Sequence, residues 1–128
     1  MATFGRYDSI PGLLASATLA ASQYKIVKVA STAGEVIVGA AATDELLGVV
    51  QNDPAAGEPA DVAFLGIGKA LAEASVAYGD PLTCSTTGRV KSTTTNGHRV
   101  VGYALEASSA AGDIIRVILS PAYFRSTT

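Results

Sequence analysis

Gly48 to Ile67, which reads GVVQNDPAAGEPADVAFLGI, decides the fold of this chain. Two runs rich in Val and Ala, Leu46 to Gln51 and Ala60 to Ile67, flank a segment that holds two prolines and Ala56-Gly57-Glu58. Short β-branched runs separated by Gly, Pro, Asn and Asp are typical of strands joined by tight turns. The stretch therefore predicts a pair of strands.

The same alternation of strands and turns continues along the chain from Tyr24. We predict short strands over Lys25 to Ala30, Glu35 to Ala40, Leu46 to Gln51, Ala60 to Ile67, Lys69 to Ala74, Pro81 to Cys84, Arg89 to Ser92, Arg99 to Glu106 and Asp113 to Leu119. Asn96-Gly97 lies between two of these runs and is the strongest hairpin signal. The predicted fold is mainly β, a small compact barrel or sandwich of short antiparallel strands.

An internal repeat appears when the chain is aligned with itself so that Tyr24 falls on Tyr78. The same offset aligns Ser31, Thr32, Gly34, Val36 and Gly48 with Ser85, Thr86, Gly88, Val90 and Gly102. One further residue of offset aligns Ala56-Gly57-Glu58 with Ala111-Gly112-Asp113. The pattern favours two related β units, and the alternative is coincidence in a sequence with few residue types.

Residues 1–23 do not follow this repeat, and we predict that they form an extended N-terminal arm. Ile10 should be extended because the proline after it disfavours the α region. Leu13 to Gln23 is compatible with a short, Ala-rich helix. Such a segment is either a disordered leader or an arm that docks elsewhere, and its aromatic residues favour the arm. We divide the chain into the arm (1–23), a β domain (24–120) and a C-terminal tail (121–128).

Composition limits the classes of function. The 128 residues are 48% hydrophobic and only 16% charged, with a formal net charge of −2. A chain of this kind exposes apolar patches unless other subunits cover them, so we expect a homo-oligomer. The nine basic residues are scattered and form no stripe for nucleic acid. No apolar run approaches the roughly 20 residues of a membrane-spanning helix.

Candidate catalytic and metal-binding residues are few. His98 is the only histidine and follows the predicted hairpin turn, and Cys84 is the only cysteine. We interpret them as an exposed loop residue and a small buried filler. Gly66-Ile67-Gly68-Lys69 lacks the remaining residues of a phosphate-binding loop. We therefore predict no enzymatic activity, no cofactor and no metal site.

The eleven acidic residues do not form an obvious catalytic pair. Most lie in predicted turns, where Asp hydrogen-bonds nearby backbone groups. Glu73 and Glu106 lie instead in apolar surroundings near predicted strands. We expect both side chains to face solvent, and the alternative is that they face a subunit boundary.

An ordered set of motifs covers about residues 24 to 120. In order they are Gly48-Val49-Val50, Ala56-Gly57-Glu58 followed by alternating Val, Tyr78-Gly79-Asp80-Pro81-Leu82, Thr87-Gly88-Arg89-Val90, Val101-Gly102-Tyr103-Ala104-Leu105-Glu106-Ala107 and Asp113 to Leu119. This set resembles the capsid decoration (cement, head-stabilising) proteins of tailed bacteriophages. The resemblance implies a compact β protein, often a trimer, on the outside of the expanded head shell at threefold or quasi-threefold positions.

The resemblance also implies a partner, a location and a site. The partner would be the major capsid protein, and the location the outer capsid surface of the virion, after assembly in the host cytoplasm. Binding would clamp neighbouring capsomers. The family's N-terminal segment commonly touches the capsid protein, which here carries over only to the arm. The arm residues that we select for capsid contact are Thr3, Phe4, Arg6, Tyr7 and Ile10.

An extended arm could add a strand to an open sheet edge on the shell, with Phe4, Tyr7 and Ile10 as its side-chain anchors. The alternative function is a tail-fibre or adhesin-like surface binding module that recognises a carbohydrate. Sugar sites usually need stacked aromatic residues, and this chain has no Trp and spreads its five Tyr and three Phe widely. The composition therefore favours the capsid-binding function.

Overall fold

The structure, a computed structural model, describes residues 7–16 and 22–123, with the backbone alone at Tyr123. Its strands are β1 (Tyr7–Ser9), β2 (Leu14–Ala15), β3 (Ile26–Val29), β4 (Glu35–Val38), β5 (Leu46–Val50), β6 (Val62–Leu71), β7 (Pro81–Cys84), β8 (Val90–Ser92), β9 (Arg99–Ala104) and β10 (Ile114–Tyr123). The described residues contain no helix. The prediction of a mainly β fold is confirmed.

The ten strands form one mixed sheet in the order β2-β4-β3-β5-β6-β10-β9-β7-β8, and β1 pairs with β6 outside this path. Every strand pair is antiparallel except β2 with β4. The path of strands is open from β2 to β8, so the closed barrel among the predicted alternatives is not confirmed. The two predicted runs on either side of Gly68 are a single ten-residue strand, β6.

The predicted doubling of a β unit is visible in the strand order. The first unit, β3 to β6, has the order β4-β3-β5-β6, and the second unit, β7 to β10, has the order β8-β7-β9-β10. The two units meet along the antiparallel β6–β10 ladder. Apart from β2 at one end, the order is therefore a palindrome of equivalent strands.

The pairing registers of the two units also match. Val27 pairs with Gly48 in the first unit, and Leu82 pairs with Gly102 in the second. A Cβ atom at Gly48 would overlap the carbonyl oxygen of Ala63, and one at Gly102 would overlap the carbonyl oxygen of Ile118. Only glycine permits this close approach of a neighbouring strand. The same steric requirement therefore occurs at equivalent places in both units.

The structure corrects the alignment of the repeat at its first strand. The backbone N–H of Tyr24 donates to Val50, and that of Gly79 donates to Ala104. Both donors have positive φ, 69° and 90°. Tyr24 is thus equivalent to Gly79 rather than to Tyr78. The sequence separation between equivalent residues of the two units is larger by one at β3 than at β4 and β5. The reason is that the turn between β3 and β4 is one residue longer than its counterpart between β7 and β8.

The Ala-Gly-acid turns are equivalent, as predicted. The N–H of Ala55 donates to Oε1 of Glu58 at 2.8 Å, and the N–H of Ala110 donates to Oδ2 of Asp113 at 3.2 Å. A carboxylate that accepts from the backbone within its own turn fixes the turn geometry. Both turns lead the chain into the last strand of their unit.

The helix considered for Leu13 to Gln23 is wrong where the structure describes it. Leu14 and Ala15 form β2, parallel to β4. The N–H groups of Leu14 and Ala15 donate to Gly34 and Glu58, respectively, so the tertiary pairing overrides the helical preference of an Ala-rich segment. The rest of the considered helix, residues 17–21, lies outside the described residues.

β2, which lies within the predicted arm, follows the repeat, contrary to the sequence-based expectation. Ala15 exchanges backbone hydrogen bonds with the Gly57-Glu58 turn, and Ala72 exchanges the same pair of bonds with the Gly112-Asp113 turn. β2 pairs in parallel with β4, and Ala72 makes a parallel bridge with Val90 of β8. β2 therefore has, beside the first unit, the place that the end of β6 has beside the second.

Candidate interaction surfaces

Two cross-strand rows occupy equivalent positions in the two units. The inner row is Ile26, Val49 and Ala63, on β3, β5 and β6. The outer row is Pro81, Tyr103 and Ile118, on β7, β9 and β10. In each row the middle residue pairs with both of its neighbours, so the two rows have the same geometry.

The inner row is buried between two hydrophobic cores. Its three residues have no exposed surface and belong to the core of the second unit. The residues that follow Ile26 and Val49, which are Val27 and Val50, point the other way into the core of the first unit. β3 and β5 are therefore covered on both faces, with apolar residues at consecutive positions.

Among the described residues, the outer row is covered on one face only. Leu82, Ala104 and Val117 fill the core of the second unit, while the side chains of Tyr103 and Ile118 point away from it and are 40% and 41% exposed. Ile67 pairs with Ile118 on the β6 side and lengthens the apolar row. The outer row and Ile67 thus form a continuous apolar strip on the surface.

Charged side chains border this strip. Lys69 and Arg116 lie directly opposite each other on β6 and β10. The Arg116 backbone N–H donates to Oε1 of Glu106 at 2.9 Å, and its Nε lies 3.3 Å from Oε2. These contacts, the backbone hydrogen bond first, hold the pKa of Glu106 below its usual value. A cleft of about 360 Å³ beside Ile67 is lined by both cations and by Tyr7 and Tyr24.

The predicted capsid-binding residues of the arm divide into two groups. Thr3, Phe4 and Arg6 lie outside the described residues. Tyr7 begins β1 and packs against the core of the second unit, and Ile10 packs against the core of the first. Tyr7 and Ile10 are thus in contact with the chain's own domain. Their contact with a shell stays a prediction.

A hydrogen bond fixes the start of β1. The Tyr7 hydroxyl donates to Oδ2 of Asp61 at 2.5 Å, and the Asp61 backbone N–H donates to Oδ1 of Asn52 at 3.0 Å. Burial, together with the neighbouring carboxylate, raises the pKa of Tyr7 to about 12. The phenol therefore stays protonated and able to donate at neutral pH.

The Gln51 side chain occupies the edge of β6 at Lys69. Tyr7 pairs with Gly66, and β10 pairs with β6 from Gly66 to Leu71. The Gln51 side chain donates to the Lys69 carbonyl at 2.9 Å and accepts from the Lys69 N–H at 3.1 Å. Since these backbone groups already have partners, the edge of β6 offers no further pairing at Lys69.

Glu73 lies in a polar cluster on the second unit. The hydroxyls of Thr87 and Ser85 both donate to Oε1 of Glu73 and lower its pKa. The Ser85 hydroxyl also accepts from the N–H of Arg89 at 3.2 Å. This cluster holds the β7–β8 turn together.

The residues considered for catalysis are not arranged as an activated pair. The Nδ1 atom of His98 hydrogen-bonds the Thr93 hydroxyl at 2.7 Å. Cys84 is buried, and burial raises the pKa of its thiol to about 11, which disfavours the nucleophilic thiolate. Gly66 and Gly68 lie inside β6 rather than in a loop. They do not form a phosphate cradle.

Among the described residues, no group of three or more His, Cys, Asp or Glu side chains could hold a metal ion. No helix in that part of the chain is long and apolar enough to cross a membrane.

The outer row could not be identified from the sequence alone. Its residues lie in predicted strands, but the sequence did not predict which face of each strand is exposed. The usable signal was the repeat: Val49 and Ala63 are replaced at the equivalent positions by Tyr103 and Ile118, which are larger and still apolar. The arm carried a signal as well, because Ile10, Leu14, Ala15 and Ala17 are identical to Ile67, Leu71, Ala72 and Ala74, which follow at the same spacing.

Fold and surface together describe a two-unit β protein with an exposed apolar strip and without an assembled catalytic centre among its described residues. Residues 18–119 match the family model of the phage cement proteins. The chain therefore belongs to the phage cement protein family and is a structural protein associated with the phage head. Comparison with the curated proteins finds no match.

A solved structure with a similar fold is the crystal structure of the head fiber gp8.5 N base of bacteriophage phi29. The two chains are 20% identical in sequence, and the TM-score is 0.65. The match covers 84% of this chain and 90% of the other. At this identity the comparison supports the fold.

Proposed function

We propose that this phage cement protein binds the outer surface of the expanded head shell, with the major capsid protein as its partner, and clamps neighbouring capsomers. The observation that carries the proposal is the family match over residues 18–119. Packed DNA presses outward on a shell, and a protein that bridges neighbouring capsomers resists their separation. Binding alone is sufficient for this role.

The arm is the proposed shell contact. Tyr7 and Ile10 hold its root on the domain, so shell recognition falls mainly to Thr3, Phe4 and Arg6. The edge of β6 is already occupied at Lys69, which supports a path for these residues away from their own sheet. Phe4 supplies the apolar anchor for a strand added to an edge on the shell.

Self-association would strengthen such a contact. A homo-oligomer, and a trimer at a threefold position in particular, presents several arms at once. Once the first arm is bound, each later contact is intramolecular, with an effective concentration of about millimolar for short tethers. Several weak arms therefore hold the shell more tightly than one.

The test is cosedimentation of the purified chain with expanded heads. Deletion of residues 2–6 should weaken binding about tenfold or more without changing the melting temperature, because β1 and its contacts are retained. Phe4→Ala should reproduce most of the loss. Tyr78→Ala is the matched control, since Tyr78 is 75% exposed and lies in the turn before β7.

Undiminished binding of the deletion variant would remove the arm from the proposal. Absence of binding by the full chain to both expanded and unexpanded heads would overturn the proposed function itself.

A further inference from the structure

The cleft beside Ile67 has a tyrosine in an unusual backbone conformation on its wall. Among the described residues Tyr24 is the only non-glycine with a positive φ, and its φ of 69° lies in the left-handed region that bulky residues rarely adopt. Its equivalent in the second unit is Gly79, which adopts the region without strain. A tyrosine kept at a position that suits glycine indicates a role for its side chain.

The backbone on both sides of that side chain is fixed. The Tyr24 N–H donates to the Val50 carbonyl at 2.7 Å, and the Leu71 N–H donates to the Tyr24 carbonyl at 2.9 Å. Tyr24 therefore stays in the left-handed conformation while its ring lines the cleft with Tyr7 and Ile67.

The cleft also holds two cations for one carboxylate. Lys69 and Arg116 lie directly opposite each other on β6 and β10, where like charges repel. Glu106 lies near both cations but forms its ion pair with Arg116. Among the described residues, Lys69 forms no ion pair.

The rest of the chain has no acidic side chain to offer Lys69. All eleven acidic residues lie within residues 7–16 and 22–123. The remaining segments, 1–6, 17–21 and 124–128, contain no Asp or Glu and include two arginines. An acidic side chain that complements this cation therefore belongs to another molecule.

The donors and the walls of the cleft define the class of anion. The Lys69 ammonium and the end of the Arg116 guanidinium supply charged N–H donors, which suit the two oxygens of a carboxylate. A phosphate site usually adds backbone N–H groups, and the Lys69 N–H is already used because it donates to Oε1 of Gln51. The rings of Tyr7 and Tyr24 offer apolar walls to the rest of the ligand.

We infer that this cleft binds an acidic residue in a peptide segment of a partner protein, and that an apolar side chain next to that residue packs against the two tyrosine rings. The site gives a role to the ring of Tyr24 and a counter-charge to Lys69. It goes beyond the arm contact proposed above and does not rest on it.

The test is an NMR titration of the isotope-labelled full chain with the capped dipeptide acetyl-Phe-Glu-amide. The amide resonances of Ile67, Lys69 and Arg116 should shift and reach saturation. Acetyl-Phe-Gln-amide has the same apolar body without the charge and should bind about fivefold more weakly or worse. Inorganic phosphate, which has the charge without the body, should also bind more weakly than the acidic dipeptide.

Three variants separate the site from the fold. Lys69→Gln should weaken binding of the acidic dipeptide about fivefold or more. Lys91→Gln is the matched control, because it removes a cation on β8, outside the cleft, and should leave binding unchanged. Tyr24→Gly should weaken binding while the chain stays folded, since Gly79 has the equivalent conformation in the second unit. Circular dichroism checks the fold of each variant.

Three results would overturn the inference. They are equal affinity for the acidic and the neutral dipeptide, phosphate binding as tight as that of the acidic dipeptide, and a Lys69→Gln variant that binds the acidic dipeptide as tightly as Lys91→Gln does. The arm contact is tested separately by deletion of residues 2–6, so failure of either proposal leaves the other standing.

Discussion

The inner wall (β3, β5 and β6) and the outer wall (β7, β9 and β10) have matching registers and strand order, yet they differ in burial. On the inner wall, consecutive residues such as Val49 and Val50 are both fully buried. On the outer wall, burial alternates: Ile115 and Val117 are buried, while Ile114 and Ile118 are 52% and 41% exposed. The second unit thus covers the inner wall, whereas the described residues leave one face of the outer wall exposed and apolar.

The largest expected effect concerns the glycine in each wall at which the neighbouring strand approaches closely. Gly48→Ala and Gly102→Ala each place a methyl group against the backbone carbonyl of the next strand, at Ala63 and Ile118. Both should destabilise the protein by about 3 kcal/mol, and by similar amounts, since backbone cannot move aside easily. Urea denaturation measures the loss.

The matched control for those variants is Gly68→Ala. Its new methyl group would meet the ends of the Gln51 and Leu119 side chains at 3.2 and 3.3 Å, which can shift. Its cost should be clearly smaller. If only one of the Gly48 and Gly102 variants were destabilised, the two walls would not be equivalent.

The next prediction compares a buried position of the inner wall with the equivalent, partly exposed position of the outer wall. Val49→Thr places a hydroxyl where the side chain has no exposed surface, and this should cost about 1–3 kcal/mol. Tyr103→Thr, at the equivalent position of the outer wall, should change the stability of the dilute chain by less than about 0.5 kcal/mol. Thermal unfolding at low concentration checks both values. Equal losses would contradict the one-sided burial of the outer wall.

A smaller effect concerns the root of the arm, where the Tyr7 hydroxyl donates to Asp61. Tyr7→Phe removes the hydrogen bond to Asp61 and should cost about 1 kcal/mol at neutral pH. The raised pKa of Tyr7 stabilises the folded state only while the phenol is protonated. This contribution is complete below the unfolded value of about 10 and is lost as pH rises toward about 12.

The difference between wild type and Tyr7→Phe should therefore shrink between pH 10 and 12, as chemical denaturation at several pH values would show. A difference that grows with pH in this range would contradict the assignment of the hydrogen bond.

The smallest effect is expected at the charged border of the outer wall. Glu106→Gln keeps an oxygen that accepts from the Arg116 N–H but removes the ion pair, whose Arg116 and Glu106 side chains are 44% and 43% exposed. Stability should change by less than about 0.5 kcal/mol, because exposed ion pairs contribute little. Any loss should appear above the pKa of Glu106 and vanish as pH falls through it, since that pKa is lowered in the folded state.

Local sequence signals were sufficient for most of the strands. β7 has the predicted bounds, Pro81 to Cys84, and β3, β4, β5 and β9 each lie within a predicted run. Turn residues and β-branched residues act over short distances, so a single sequence reports well where strands begin and end. The second unit was found for the same reason, because its turns repeat in order. A single sequence does not report which strands pair: the hairpin predicted at Asn96-Gly97 is wrong, because this turn joins β8 and β9, which both pair with β7 and not with each other.

The arm and the outer row required information that local patterns do not contain. Leu14 and Ala15 favour a helix locally, and only their pairing with β4 makes them a strand. Whether Tyr103 is exposed depends on the absence of cover over β9, which no residue near it in sequence specifies. Similarly, the shift by one position that equates Tyr24 with Gly79 is defined by backbone hydrogen bonds rather than by residue identity.

The most direct test of the account is hydroxyl-radical footprinting of Tyr103 and Tyr78 in the wild-type chain, measured by mass spectrometry at low protein concentration. Both side chains are exposed in the single chain. We expect both side chains to be oxidised at low concentration, because the inner wall is covered by the second unit while Tyr103 on the outer wall faces solvent. Protection of Tyr103 at low concentration, with Tyr78 oxidised, would contradict the one-sided burial of the outer wall.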